Sequence, residues 1–204
     1  MSFDVMIVGV GGQGTILASN ILGMACVEEG RPVRGAETHG MAQRGGSVEC
    51  SVRIDGEFGP LVDPGTADLL LSFDLLEALR YRHFLRPSAR VVTNTAIITP
   101  TPVFTQELSL PSPGECLERL APFGPIALDA GALAREAGSE LALNVVLIGA
   151  ASHLLPLAPE SLLAAIERSV PPKTVGVNRR AFALGREAAV RNRQGDGVVP
   201  PKSS

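Results

Sequence analysis

Tryptophan is absent from this chain, Tyr81 is the only tyrosine, and aromatic residues together make up 4% of it. Stacking platforms for bases are therefore scarce, and with a pI near 5.7 no nucleic-acid partner is expected. Lysine is almost missing too. Lys173 and Lys202 are remote from the glycine-rich N-terminal stretch, so there is no P-loop lysine. The three cysteines, Cys26, Cys50 and Cys116, form no C-x-x-C pair, and a [4Fe-4S] cluster held by four thiolates cannot be built from them. Cys26 and Cys50 read as reduced packing residues. His39, His83 and His153 have no ligand spacing to one another, so no zinc site is suggested. Neither G-x-S-x-G nor H-E-x-x-H occurs, and Leu85 stands four residues after Tyr81 where a short-chain reductase needs lysine. This missing chemistry favours a non-catalytic role. The most apolar stretch, 141–158, is interrupted by Asn144, Ser152, His153 and Pro156, and reads as a buried helix, not a membrane span. A strand beginning at Phe3 leaves no room for a leader, so a cytoplasmic location is expected.

What is present is aliphatic. Hydrophobic residues make up 45% of 204 positions, enough for a core without disulfide or metal support. Few aromatics and many branched residues suit a parallel sheet covered by helices. One domain is expected over residues 1–194, followed by a frayed tail over 195–204. The chain opens with Phe3-Asp4-Val5-Met6-Ile7-Val8, a strand that runs into Gly9-Val10-Gly11-Gly12-Gln13-Gly14. Gly9, Gly11 and Gly14 satisfy G-x-G-x-x-G, and a helix follows with Leu17, Ile21 and Met24/Ala25 on one stripe and Gly30 placed to end it. Such a turn either aims backbone N–H groups and a helix dipole at an anion or is simply a tight strand-to-helix connection.

A dinucleotide site needs an acid at the end of the second strand, about 20 residues on. Pro32 to Ala36 supplies that strand, and Glu37 the acid. The next residues are unusual for such a fold. Glu37-Thr38-His39-Gly40-Met41-Ala42-Gln43-Arg44-Gly45-Gly46 sets a carboxylate, an imidazole, an amide and a guanidinium within eight positions, punctuated by glycine. This polar loop is either a recognition surface or a structural loop bonded to its own backbone.

Further along, Gly46 to Asp55 alternates: Val48, Cys50, Val52 and Ile54 face one way and Glu49, Ser51, Arg53 and Asp55 the other. That pattern predicts a half-exposed antiparallel strand, with Asp55-Gly56 turning toward a hairpin partner at Phe58 to Val62. Strands are also expected at 68–73, 91–94 and 126–129, helices from about 75 to 85 and from Asp129, and an extended, irregular segment from 97 to 113. From Ala142 three helices follow, broken at Pro156 and at Pro171-Pro172. The expected fold is α/β: a Rossmann-like, mostly parallel sheet with helices on both faces and an antiparallel strand or hairpin addition. Charge is uneven. Residues 1–79 carry 11 acids against four arginines, a net of −7, whereas Arg179, Arg186 and Arg193 recur every seven positions on one helix face. That face is either solvated or docks an acidic partner or a phosphate.

The glycine turn followed by Gly35-Ala36-Glu37-Thr38-His39-Gly40-Met41-Ala42-Gln43-Arg44-Gly45-Gly46 resembles the gamma subunit, or gamma domain, of the 2-oxoacid:ferredoxin oxidoreductases, most closely the small (beta) subunit of the indolepyruvate, or arylpyruvate, branch. Asn144 to Gly149 is similar to the family's central helix, and Pro172-Lys173 with Asn178 to Gly185 to its C-terminal helix. The resemblance covers residues from about 3 to about 190. It implies a subunit of complexes that convert a 2-oxoacid and coenzyme A into an acyl-CoA and carbon dioxide and pass two electrons to ferredoxin. It also implies that thiamine diphosphate and [4Fe-4S] clusters belong to a large alpha subunit, with coenzyme A as a possible contact of this chain. Gly9, Gly11, Gly12, Gln13, Gly14, Glu37, Thr38, His39, Gln43 and Arg44 are the ligand or interface candidates. The alternative is a free-standing NAD(P)- or nucleotide-binding reductase that uses the Gly9–Gly14 turn and Glu37.

Overall fold

The computed structural model describes residues 2–39, 46–57, 59–99 and 109–194. The expected tail, 195–204, and much of the polar loop, including Gln43 and Arg44, lie outside the described residues. Six strands form one sheet: β1 (Phe3–Val10), β2 (Val33–His39), β3 (Ser47–Ile54), β4 (Ala67–Ser72), β5 (Leu85–Asn94) and β6 (Ile126–Leu128), in the order β2-β3-β1-β4-β5-β6. β1, β4, β5 and β6 are mutually parallel, and β3 is antiparallel to both β1 and β2. β2 thus runs in the direction of β1 but is separated from it by one strand.

Helices cover both faces. On one pack α1 (Thr15–Glu28), α4 (Ala130–Ala137), α5 (Leu143–Ala151), α6 (Pro159–Ser169) and α7 (Val175–Arg193), over a core that takes Val5 and Ile7, Leu69 and Leu71, and Val48 to Ile54 at alternate positions. On the other, α2 (Leu75–Tyr81) and α3 (Pro113–Leu120) close a smaller core around Met6, Val8, Leu70 and Val91. The period-two alternation of the strands is what divides these residues between the two cores. In α1 the fully buried stripe is Ala18, Ile21, Leu22 and Ala25; Leu17 and Met24 sit at its margin. Gly30 ends that segment with φ +66°.

Several expectations are corrected. β3 is not a hairpin with 58–62, which form no strand among the described residues; it lies inside the sheet, and its hairpin partner is β2. Nor is its polar side open to solvent. Arg53 forks onto Asp4, with both N···O contacts at 2.9 Å, and Ser51 donates to the Pro60 carbonyl at 2.7 Å. Alternating polarity announces two faces but not what covers the second. The helix expected over 75–85 stops at Tyr81, and a 3₁₀ turn over Arg82–Phe84 leads into β5, which begins at Leu85. Residues 141–158 are not one helix: α5 ends at Ala151 and α6 begins at Pro159. Among the described residues no helix is long and apolar enough to cross a membrane.

Two glycines set the closest contact in the main core. A Cβ on Gly149 would stand 2.2 Å from the Phe182 carbonyl oxygen, and one on Gly185 would stand 2.0 Å from that of Val146. α5 and α7 therefore cross backbone to backbone, where no methyl fits. Either Gly149→Ala or Gly185→Ala should cost about 3 kcal/mol, read from the denaturation midpoint. A loss within about 0.5 kcal/mol, the range of an ordinary surface change, would contradict this crossing.

Candidate functional site at the carboxyl edge of the sheet

β1 ends at Val10, the chain turns through Gly11–Gly14, and α1 starts at Thr15. Gly12 and Gly14 have φ of +101° and +84°, which favour glycine. Gly9 is needed for space: a Cβ there would meet Gln13 Oε1 at 2.8 Å and the side chains of Phe73 and Thr15 at 2.9 Å. The buried Asn144 side chain stands over Gly14 in the same way, at 2.9 Å. Gln13 fills the inside of the turn. Its Oε1 accepts the Val10 N–H at 2.7 Å, and its Nε2 donates to the Phe73 carbonyl at 3.1 Å. It bridges the carboxyl ends of β1 and β4, the place where open α/β sheets leave a crevice for a ligand. The Gly11 N–H is also used, donating to the Gly46 carbonyl at 2.9 Å. No side chain caps α1, so its first amides remain for solvent or a ligand.

The second motif reaches the same edge. Glu37 pairs with Cys50, which pairs with Ile7; His39 pairs with Val48, which pairs with Gly9. Two strand spacings put these positions about 10 Å from β1. The fold thus brings Gly9, Gly11, Gly12, Gln13 and Gly14 to one edge with Glu37, Thr38 and His39. Glu37 is exposed and lines a groove of about 960 Å³ between α1 and β2, with Leu17, Asn20, Met24 and Val33. Thr38 belongs to the opposite face, in register with Glu49.

This geometry does not support the nucleotide-reductase alternative. A ribose-binding acid has to end the strand beside β1, yet β3 occupies that place. The Gln13 amide takes up the inside of the turn that a pyrophosphate would approach.

A third group of residues at this edge went unread in the sequence. On the α2 face, Ser47 Oγ donates to Glu77 Oε2 at 2.5 Å and lies 3.2 Å from the Tyr81 hydroxyl. Arg80 donates to the other Glu77 oxygen at 2.8 Å. Burial pushes the Tyr81 phenol up, and its hydrogen bond with Glu49 adds to the shift. The available signal was Glu77, Arg80 and Tyr81 within one helical turn of each other in a short helix whose other residues are leucine and alanine. Asp74 caps that helix, accepting the Leu76 and Glu77 N–H groups and, at 2.5 Å, that of Ile98. Burial raises its pKa above the ordinary aspartate value, against the lowering effect of the N–H groups it accepts.

The residues present do not fit an iron–sulfur cluster. Cys26 and Cys50 lie in the main core and Cys116 in the smaller one across the sheet. Burial pushes the Cys26 thiol up to about 11 and that of Cys50 to about 12. Among the described residues no group of three or more His, Cys, Asp and Glu could hold a metal ion. On α7, two of the seven-spaced arginines are engaged within the chain: Arg179 donates to Glu167 at 2.6 Å, and Arg186 bonds Ser152 and lies 5.8 Å from the Phe182 ring centre.

Residues 4–188 match the family model described as pyruvate ferredoxin/flavodoxin oxidoreductase. The chain belongs to that family. It is 44% identical over 193 residues to the indolepyruvate oxidoreductase subunit IorB of Thermococcus kodakarensis, covering 92% of this chain and 96% of that one. Among solved structures it is similar to the gamma subunit of a keto/oxoacid ferredoxin oxidoreductase from Geobacter sulfurreducens, with a TM-score of 0.69, 24% identity and coverage of 92% and 98%. It is also similar to 2-oxoglutarate:ferredoxin oxidoreductase from Magnetococcus marinus, solved with 2-oxoglutarate, coenzyme A and succinyl-CoA, with a TM-score of 0.70 and 20% identity. That likeness spans 93% of this chain but 31% of the other. The chain is a small subunit of an oxidoreductase complex of this family.

Because Gln13 fills the inside of the turn and β3 stands where a ribose-binding acid would be, NADH titrated into the purified chain should give no saturable fluorescence change. Gln13→Ala should weaken the fold by about 1–2 kcal/mol through two lost hydrogen bonds. Saturable NADH binding in the micromolar range would overturn this reading of the turn.

Proposed function

We propose that this chain is the small, non-catalytic subunit of a complex that oxidatively decarboxylates aryl 2-oxoacids such as indolepyruvate and phenylpyruvate. The products are aryl-acyl-CoA and carbon dioxide, and two electrons pass to ferredoxin. The observation that carries this reading is 44% identity over nearly the whole length to a relative named as an indolepyruvate oxidoreductase subunit. Thiamine diphosphate and [4Fe-4S] clusters belong, in this reading, to a large alpha subunit. The separation of the three thiols into two buried cores supports that division. The complex works in the cytoplasm.

The role of this chain is to complete the partner's active-site mouth with its carboxyl sheet edge. The glycine turn and Glu37, Thr38, His39, Gln43 and Arg44 face the partner or the substrate channel, with coenzyme A as a possible contact. A guanidinium between Gln43 and Gly45 is suited to fork onto a carboxylate or a phosphate, which lysine cannot do.

The pure chain, supplied with indolepyruvate, coenzyme A, thiamine diphosphate and a dye acceptor, should show no turnover; co-expression with the large subunit should restore it. In that complex Arg44→Ala should weaken assembly or kcat/KM by about 2 kcal/mol or more if the guanidinium meets a buried charge. Turnover by the single chain, or a fully active Arg44→Ala complex, would contradict the respective claim.

A further inference from the structure

The buried carboxylate of Glu77 is the least expected group at this edge. It is 2% exposed, on a helix whose neighbouring positions 75, 76 and 78 are buried leucine and alanine. Burying a carboxylate costs free energy unless its oxygens are bonded. Both are: one accepts from Arg80 and the other from Ser47. Glu77 also lies in the first turn of α2, at the positive end of the helix dipole.

Its partner is placed where the polar motif rejoins the sheet. Ser47 is the first residue of β3, paired with Val10 at the end of β1, and the carbonyl just before it takes the Gly11 N–H. The Ser47–Glu77 bond therefore reaches from β3 past the end of β1 to the helix that follows β4. It meets the Gln13 bridge at Val10, which pairs with Ser47 and donates its N–H to Gln13, and it fixes the start of β3. Tyr81, one turn further along α2, meets the same hydroxyl and stacks on Phe84 with ring centres 6.0 Å apart.

We infer that Ser47, Glu77 and Tyr81 are positioning residues that hold the start of β3 and, through Val10 and Gly11, the glycine turn in the arrangement the complex uses to receive its 2-oxoacid. This rests on the function proposed above.

The test uses the complex reconstituted with the large subunit and indolepyruvate as the varied substrate. Ser47→Ala and Glu77→Gln should each raise KM about tenfold, the size of one charge-assisted hydrogen bond, with kcat within about twofold. Ser47→Thr keeps the hydroxyl and should restore KM. Tyr81→Phe removes only the outer hydroxyl, should give a smaller rise, and reports on the network if Glu77→Gln does not fold. A KM unchanged in Ser47→Ala and Tyr81→Phe overturns the inference. So does a loss of thermal stability and kcat together with no change in KM, the mark of a structural role. Arg44→Ala separates the two levels: if it perturbs the complex while the Ser47 variants do not, this inference alone fails. If both are silent, the reading of the motif falls with it.

Discussion

The fork between Arg53 and Asp4 is the contact on which the carboxyl edge depends. It joins β3 to β1 at directly paired positions, with both partners largely buried, and a slip of one residue would turn every β3 side chain to the wrong face. The Asp4 N–H in turn donates to Asp68 at 2.7 Å, and Asp68 pairs with Arg86 at 2.6 Å. These contacts tie β3, β1, β4 and β5 together at the amino end of the sheet. With that register fixed, Val48 to Ile54 enter the core at alternate positions, Ser47 faces α2, and the Gly46 carbonyl meets Gly11. Ionic contacts at one end of β1 thus determine which polar groups assemble at the other.

The same insertion of β3 separates this subunit from a nucleotide-binding enzyme. The two folds share a strand, a glycine turn and a helix. Here, however, the crevice is bridged by Gln13 and the place beside β1 is taken by an antiparallel strand. The glycines serve chain-to-chain contact, with Gln13, Phe73 and Asn144 filling the space next to them. A fold whose glycine turn is bridged from inside by its own glutamine and whose thiols are buried in two cores is suited to act through its surface on a partner.

Much of this was legible in the sequence because local physics dictated it. The strand opening at Phe3, the glycine turn, the α1 helix with Ile21 and Ala25 inward, the helix start at Asp129 and the proline breaks all follow from periodicity and from residues with restricted backbones. Other features were hidden because they depend on partners distant in the chain. Nothing in Asp55-Gly56 says that β3 pairs backward with β2, since the chain does bend there, with Asp55 at φ +58°, but among the described residues beyond it 59–62 form no strand. The polar side of β3 looked solvated because Asp4, Pro60 and Glu77 are between 9 and 49 residues away from the side chains they bond. The α3 helix was hidden behind the Thr- and Pro-rich stretch before it, although Ser112 and Glu115 form a capping box with Pro113 at the first helical position.

We propose that the carboxyl edge of the sheet, not the helical face carrying α7, is where this subunit meets its partner. Amide hydrogen exchange on the isolated chain and on the assembled complex tests it most directly. The account predicts added protection at residues 9–16 and 36–47, with α7 and β6 unchanged. Protection confined to α7 and β6, with the glycine turn and the 37–46 motif exchanging as in the isolated chain, would contradict it.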